Sequence, residues 1–132
     1  MNARKVSTKK THPGEGRARR NVAESYLDVA ELISSEDGTA INVCVGVAVL
    51  AGIAAGDAIC AAALGERYSG DDHDAAADLL GRVDPKLGKS LHDLVALKGK
   101  SHYGSALLTA KDRKKAVRCA TTLVDEARVR QP

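Results

Sequence analysis

The longest apolar stretch of the chain runs from Ile41 to Leu64, and only Asn42 and Asp57 within it are strongly polar. A segment that is apolar on all sides is either enclosed by other helices or embedded in a membrane. Asp57 would cost about 2.5–3.5 kcal/mol near the centre of a bilayer. We therefore expect residues 41–64 to form the central helix of a bundle, and no contact with a membrane.

Two glycines of this stretch, Gly52 and Gly56, are spaced so that they lie on one stripe of a helix. Each glycine costs about 1 kcal/mol relative to alanine inside a helix. Close approach by a neighbouring helix would offset that cost. The spacing predicts tight packing at these two positions.

A second helix is predicted before the central one. It is expected to begin at Asn21, whose spacing from Glu24 is that of a capping box. The apolar positions expected to face the core, three or four residues apart, are Val22, Tyr26, Val29 and Ile33.

Three more helices are predicted after the central one, which Gly65 is expected to end. The third helix is expected to have Asp71 as its N-cap and to carry His73 on its apolar face. In the fourth helix the apolar face continues onto Lys98 and His102, so we expect both side chains to point inward. The apolar positions that define this face are Leu87, Leu91, Leu94 and Val95.

The final helix is predicted to start at a capping box formed by Thr109 and Asp112. No alternating pattern typical of a strand occurs along the chain. The predicted fold class is therefore all-α, an up-and-down bundle of about five helices around the buried helix 41–64.

The net charge of +3 conceals an uneven distribution along the 132 residues. Residues 1–20 carry a charge of +6, residues 21–97 carry −9, and residues 98–132 carry +6. The basic segment 1–20 has little apolar content and is expected to be disordered, which leaves a single domain at 21–130. This tail is either an arm that contacts nucleic acid or a solubilising extension.

Cysteine usage indicates a reducing compartment. Cys44, Cys60 and Cys119 have no metal-binding spacing, and two of them lie in the apolar stretch. They are typical of reduced core thiols. No apolar segment of a secretory signal follows the basic N-terminus. We expect a cytoplasmic protein.

The first candidate site is built around Asp57. A carboxylate inside an apolar helix needs a cationic or hydrogen-bonding partner, or it becomes protonated. The candidates that also point inward are Lys98, His102 and Tyr103. This cluster is either a structural pair that fixes the register of the helices or part of an active site.

The second candidate site is the pair Arg67 and His73, at a loop that leads into a helix N-terminus. A histidine can move the proton of a ribose hydroxyl while an arginine stabilises the charge of a phosphate. The alternative is a salt bridge between Arg67 and the aspartates that follow it. Asp71, Asp72 and Asp74 fan out around a helix with His73, so no metal or cofactor is expected.

A third candidate is the basic outer face of the last helix, which could contact the phosphates of a nucleic acid. The alternative is a solvated charged face. The cations assigned to this face are Lys111, Arg113, Lys114, Lys115 and Arg118.

Several segments together resemble small actinobacterial proteins of the HEPN type. They are Gly56-Asp57-Ala58-Ile59-Cys60, Arg67-Tyr68-Ser69-Gly70-Asp71-Asp72-His73, Leu79-Leu80, and Leu97-Lys98 with His102-Tyr103. The resemblance covers about residues 21–130. It implies a helical bundle that commonly forms homodimers.

The resemblance also implies two functions. Many HEPN domains are metal-independent endoribonucleases of toxin–antitoxin or defence systems, with a catalytic Arg-x4–6-His motif that Arg67 and His73 would supply. Asp57, Lys98, His102 and Tyr103 would then support the site. Others are non-catalytic partners of nucleotidyltransferases. The partners implied are RNA, an antitoxin or a nucleotidyltransferase.

Overall fold

The computed structural model describes residues 6–103 and 108–132, and of residues 101–103 it describes the backbone alone. Within those ranges the fold is an all-α bundle, as the sequence predicts. The helices are α1 (Glu15–Leu32), α2 (Ala40–Leu64), α3 (His73–Val83), α4 (Pro85–Tyr103) and α5 (Ala110–Arg130). The central helix α2 contacts each of the other four.

Helix α2 is long and apolar enough to cross a membrane by length and composition alone. However, 67% of its most apolar 18-residue segment is buried inside the bundle. The close packing predicted at Gly52 is confirmed, because a Cβ atom there would lie 2.5 Å from Leu94 Cδ1.

All three cysteines are buried and reduced, and burial raises the pKa of Cys60 to about 12.

Two short antiparallel strands, which the sequence did not predict, lie beside the bundle. Strand β1 (Thr8–Lys10) pairs with strand β2 (Glu66–Tyr68), with Lys9 opposite Arg67. Each strand has three residues and no alternation of apolar and polar positions, so neither has a visible sequence signal.

The expectation that residues 1–20 form a disordered tail is wrong for the described residues 6–20. Besides β1, this segment contains the first six residues of α1, which begins at Glu15 rather than at Asn21. Gly14 precedes the helix with φ of 84°, a conformation that glycine adopts without strain. The Thr11 N–H also donates to the Gly65 carbonyl at 3.0 Å. Two charged residues of this segment, Glu15 and Arg19, form ion pairs with the domain.

The inward face of α1 also differs from the prediction. Its buried residues are Gly16, Ala23, Leu27 and Ala30, whereas Val22 and Val29 are 38% and 47% exposed. The small side chains let α1 lie close to α2, so that the Cys44 thiol donates to the Ala30 carbonyl at 3.2 Å. The larger side chains of Val22 and Val29 lie at the edge of the contact between the two helices.

Helix ends follow local signals in most cases. Gly65 ends α2 in the left-handed conformation, and Thr109 and Asp112 form the predicted capping box of α5. The N-cap of α3 is Asp72 rather than Asp71. The Asp72 carboxylate accepts hydrogen bonds from the N–H groups of Asp74 and Ala75.

Candidate functional site

The structure separates the predicted site residues into three groups. Asp57 and Arg67 lie against the start of α1. His73 and Lys98 line a cleft between α3 and α4. Four of the five predicted cations of α5 form a separate surface. The side chains of His102 and Tyr103 lie outside the described residues.

The partner of Asp57 is Arg19, not the predicted Lys98. Arg19 Nε donates to Asp57 Oδ2 at 3.1 Å, and Arg19 Nη2 lies 3.1 Å from the same oxygen. Asp57 is on the flank of α2 that faces α1, which explains why the basic residue comes from α1. Burial raises the pKa of Asp57, and Arg19 lowers it by less. The pair fixes the register of α1 on α2.

Arg67 is engaged by Glu15 of the same α1 segment. Arg67 Nε lies 2.5 Å from Glu15 Oε2, and this hydrogen bond is the main reason that the pKa of Glu15 is lowered. Arg67 is not among the residues that line the cleft of His73. Between them, the Tyr68 hydroxyl accepts a hydrogen bond from the Asp72 N–H at 2.8 Å, and the chain turns away from β2 into α3. The described contacts therefore do not join Arg67 and His73.

The His73 cleft has a volume of about 550 Å³. Partial burial lowers the pKa of His73, and the nearby Lys98 ammonium lowers it further against the opposing effect of the adjacent aspartates. His73 is therefore a neutral proton acceptor near pH 7. The carboxylates make the cleft more acidic than basic, which disfavours a polyanion. The lining residues are Asp71, Asp72, His73, Asp74, Val95, Lys98 and Gly99.

His92 is a polar residue of this region that the sequence patterns did not reveal. From α4, its Nε2 atom lies 2.8 Å from Asp78 Oδ1, and its Nδ1 atom lies 3.3 Å from Asp74 Oδ1. His92 thus holds α4 against α3 on one side of the cleft. No signal within the fourth helix could have indicated this role, because both partners belong to α3.

The basic surface of α5 differs from the prediction at one position. Arg113 is only 9% exposed, and its Nη1 atom donates to the Glu36 carbonyl. It lies three and seven residues before Ala116 and Ala120, on the buried side of the helix. Arg113 therefore ties α5 to the loop between α1 and α2 and does not belong to the outer face.

The remaining predicted cations, Lys111, Lys114, Lys115 and Arg118, are exposed and line one groove of about 510 Å³. Of the described residues that line this groove, Asp112 alone carries a carboxylate. Asp112 accepts a hydrogen bond from the Thr109 N–H, which is the main cause of its lowered pKa. Its charge is therefore already engaged by the start of the helix.

Comparison with protein-family models finds no match for this chain, and no curated protein is significantly similar to it. Among the described side chains, those of residues 6–100 and 108–132, no three His, Cys, Asp or Glu are placed to hold a metal ion. The geometry of the described residues therefore carries the functional argument.

Proposed function

We propose that the protein is a HEPN-like helical module that binds RNA through the basic groove of α5 and does not cleave it. The observation that carries this proposal is the groove of Lys111, Lys114, Lys115 and Arg118. Within the described residues, no carboxylate lies within 4.0 Å of these cations. Cations without a salt-bridge partner retain their charge for phosphates.

The surroundings of the groove also support binding by phosphate contact. Lys100 of α4 lies close enough to Asp112 to lower its pKa, and it adds a further cation near the groove. The chain contains no Phe or Trp, so stacking of bases against the groove has little support. We therefore propose binding that depends strongly on salt and weakly on sequence.

The position of Arg67 favours binding over cleavage. A phosphate clamp must offer its guanidinium to the substrate, but that of Arg67 is engaged by Glu15. The non-catalytic role implied by the resemblance, in which the partner is a nucleotidyltransferase or nucleic acid, is consistent with this arrangement.

The test is fluorescence anisotropy with a labelled single-stranded RNA across a range of salt concentrations. We expect Lys114→Glu to weaken binding about tenfold at low salt and to reduce the slope of log affinity against log salt by about 0.7. The matched control is Lys86→Glu, an exposed lysine at the start of α4. Lys86 is a suitable control because the opposite end of α4, where Lys100 lies, is the end that approaches the groove. Equal affinity of both variants and the wild type would refute the proposal.

A second candidate function, a metal-independent endoribonuclease of a toxin–antitoxin or defence system, is favoured by one observation. His73 and Lys98 line one cleft, and partial burial, followed by the nearby Lys98, lowers the pKa of His73, so that it is a neutral base near pH 7. His73 would take the proton of a ribose 2′-hydroxyl as that oxygen attacks the adjacent phosphorus, and the 5′-oxygen would leave and take a proton from water. Lys98 would stabilise the phosphate charge. Incubation with RNA in EDTA tests this. The candidate requires cleavage that is lost in His73→Gln and Lys98→Met and retained in Arg67→Met. If the wild type does not cleave RNA, this second candidate is rejected and RNA binding without cleavage is the proposal that remains.

A further inference from the structure

We propose that a cleft between the start of α5 and the loop between α1 and α2 binds a small amphipathic anion, in which a carboxylate or phosphate is joined to a short apolar chain. The cleft has a volume of about 570 Å³, within the range of clefts that bind small ligands. It lies beside the basic groove of α5, but its walls are mainly apolar. The lining residues are Ser34, Ala110, Arg113, Lys114, Val117 and Arg118.

The anchor of this cleft is the buried guanidinium of Arg113. Arg113 is only 9% exposed, and a buried cation is stable when an opposite charge or a full set of hydrogen bonds compensates it. Across the side chains of residues 6–100 and 108–132, no carboxylate lies within 4.0 Å of Arg113, and its one side-chain hydrogen bond goes to the Glu36 carbonyl. Because that carbonyl is neutral, the positive charge has no counter-ion.

The position of Arg113 within α5 adds to this imbalance. Because α5 begins at Ala110, Arg113 lies in the first turn of the helix. The free N–H groups of a first turn give that end of a helix a partial positive charge, which disfavours a cation and favours a carboxylate or a phosphate. An oxyanion in the cleft would therefore compensate both the guanidinium and the helix end.

Two further cations favour an anion as the ligand. Lys114 and Arg118 are exposed and lie one turn apart on the same side of α5. None of the described residues that line the cleft is acidic. The planar donors of an arginine also match the two oxygens of a carboxylate or phosphate. The charge of the lining therefore selects an oxyanion as the head group of the ligand.

The apolar walls determine the rest of the ligand. Ala110 and Val117 lie one turn before and one turn after Arg113, on the same side of the helix. Val117 also packs against the hydrophobic core. The aliphatic stems of Lys114 and Arg118 can extend this surface. An inorganic anion would leave the walls in contact with water, whereas a short alkyl chain on the anion would cover them.

The cleft and the basic groove of α5 share only part of their lining. Lys114 and Arg118 line both. Lys111 lines the groove but not the cleft, whereas Arg113 and Val117 line the cleft but not the groove. Substitutions can therefore separate the two sites. Binding of the small anion does not require RNA, so its test is independent of the proposed function.

NMR titration of the full chain with octyl phosphate and with octanoate tests the proposal, because amide shifts report both the affinity and the place of binding. We expect the better of these two probes to bind with a dissociation constant below about 1 mM and to shift the amides of Ser34 and Val117. Comparison of the probes distinguishes a phosphate from a carboxylate head group. Inorganic phosphate and octanol, which each lack one half of the ligand, should bind at least about tenfold more weakly.

Variants at the start of α5 test the position of the site. Ala110→Glu places a carboxylate in the cleft, in a helix turn where an acid is favourable, and should weaken binding of the better probe at least about tenfold. The matched control is Lys111→Gln, which lowers the net charge equally but lies outside the cleft. It should bind the probe as the wild type does. Arg113→Met should also lose binding, and Ala110→Glu decides the question if Arg113→Met does not fold, as circular dichroism will show.

Three results would overturn the proposal. One is the absence of binding by both probes up to about 10 mM, including a chain that then binds vesicles of acidic phospholipid, since a membrane surface would be the occupant. Another is equal affinity for the better probe and for inorganic phosphate or octanol, because one half of the ligand would then contribute nothing. The third is equal affinity of Ala110→Glu and Lys111→Gln for the probe, which would place the ligand outside the cleft.

Discussion

The two ends of α5 both carry cations and use them differently. At the C-terminal end, Arg128 pairs with Glu24 of α1 and with Asp125, and Arg130 pairs with Glu126. At the N-terminal end, the cations of the proposed RNA groove have no carboxylate within 4.0 Å in the described ranges. Arg128 helps to join α5 to α1 and Arg130 forms an ion pair within α5, whereas the groove contributes charge without a structural task.

This contrast predicts an order of effects on stability. Removing one partner of a buried ion pair leaves a charge without compensation. Removing one partner of an exposed pair costs less, because water and salt already screen it. Removing a cation that has no partner should cost almost nothing. Asp57, Glu24 and Arg118 represent these three cases.

The largest effect is expected for Asp57→Ala. The variant leaves the Arg19 guanidinium, 33% exposed, without its acceptor, and a charged hydrogen bond of this kind contributes about 2 kcal/mol. Urea unfolding at pH 7 measures the loss. The double variant Asp57→Ala with Arg19→Met should recover part of it. A loss below about 0.5 kcal/mol, the range of ordinary surface substitutions, would contradict the role assigned to this pair.

The two ion pairs at the start of α1 should respond to pH in opposite directions. The pKa of Asp57 is raised from 3.8 in the folded state, so its contribution to stability falls as pH rises from about that value through the raised pKa. The pKa of Glu15 is lowered from 4.5. Its contribution is therefore present above pH 4.5 and is lost as pH falls through the lowered pKa.

Urea unfolding between about pH 3 and 7, the interval around both carboxyl pKa values, measures these two contributions. Relative to the wild type, Asp57→Asn should gain stability as pH rises through this interval, and Glu15→Gln should lose it. If the stability of the two variants changed with pH in the same way, burial would not distinguish the Arg19–Asp57 pair from the Glu15–Arg67 pair.

Local signals in the sequence were sufficient for most of the fold. The apolar run of α2 predicts a central helix because no orientation of it leaves a polar face for water. Thr109 and Asp112 predict the start of α5 because both members of a capping box lie within one turn. The inward face of α1 was predicted only in part. Tyr26 and Ile33 pack against the core, but Val22 and Val29 were preferred to small residues such as Ala23 because they are more apolar.

The candidate sites depend on tertiary contacts, and the sequence predicted less of them. Arg19 was assigned to a disordered segment, so it was never considered as the partner of Asp57. Arg67 and His73 have a suitable spacing, but the intervening turn separates them. Arg113 could have been excluded from the basic face, because its spacing from Ala116 and Ala120 is that of the buried side. The other four cations predicted on the outer face of α5 are exposed, and their contact with a nucleic acid stays a prediction.

An intermediate effect is expected for Glu24→Ala. Glu24 Oε2 lies 2.8 Å from Arg128 Nε, and Glu24 Oε1 lies 3.3 Å from Arg20 Nε. The side chains are partly exposed, so the loss should be about 0.5–1 kcal/mol and should shrink at high salt. Urea unfolding at low and high salt tests both statements. A loss as large as that of Asp57→Ala would remove the distinction between buried and exposed pairs.

The smallest effect on stability is expected for Arg118→Ala. In the described part of the chain this arginine has no acidic partner within 4.0 Å, so its removal should change the free energy of unfolding by less than about 0.5 kcal/mol. The same variant should weaken RNA binding severalfold at low salt, because it removes one phosphate contact. Urea unfolding and anisotropy on one preparation measure both. A destabilised variant that binds RNA normally would reverse the assignment, because Arg118 would then belong with the structural arginines at the other end of the helix.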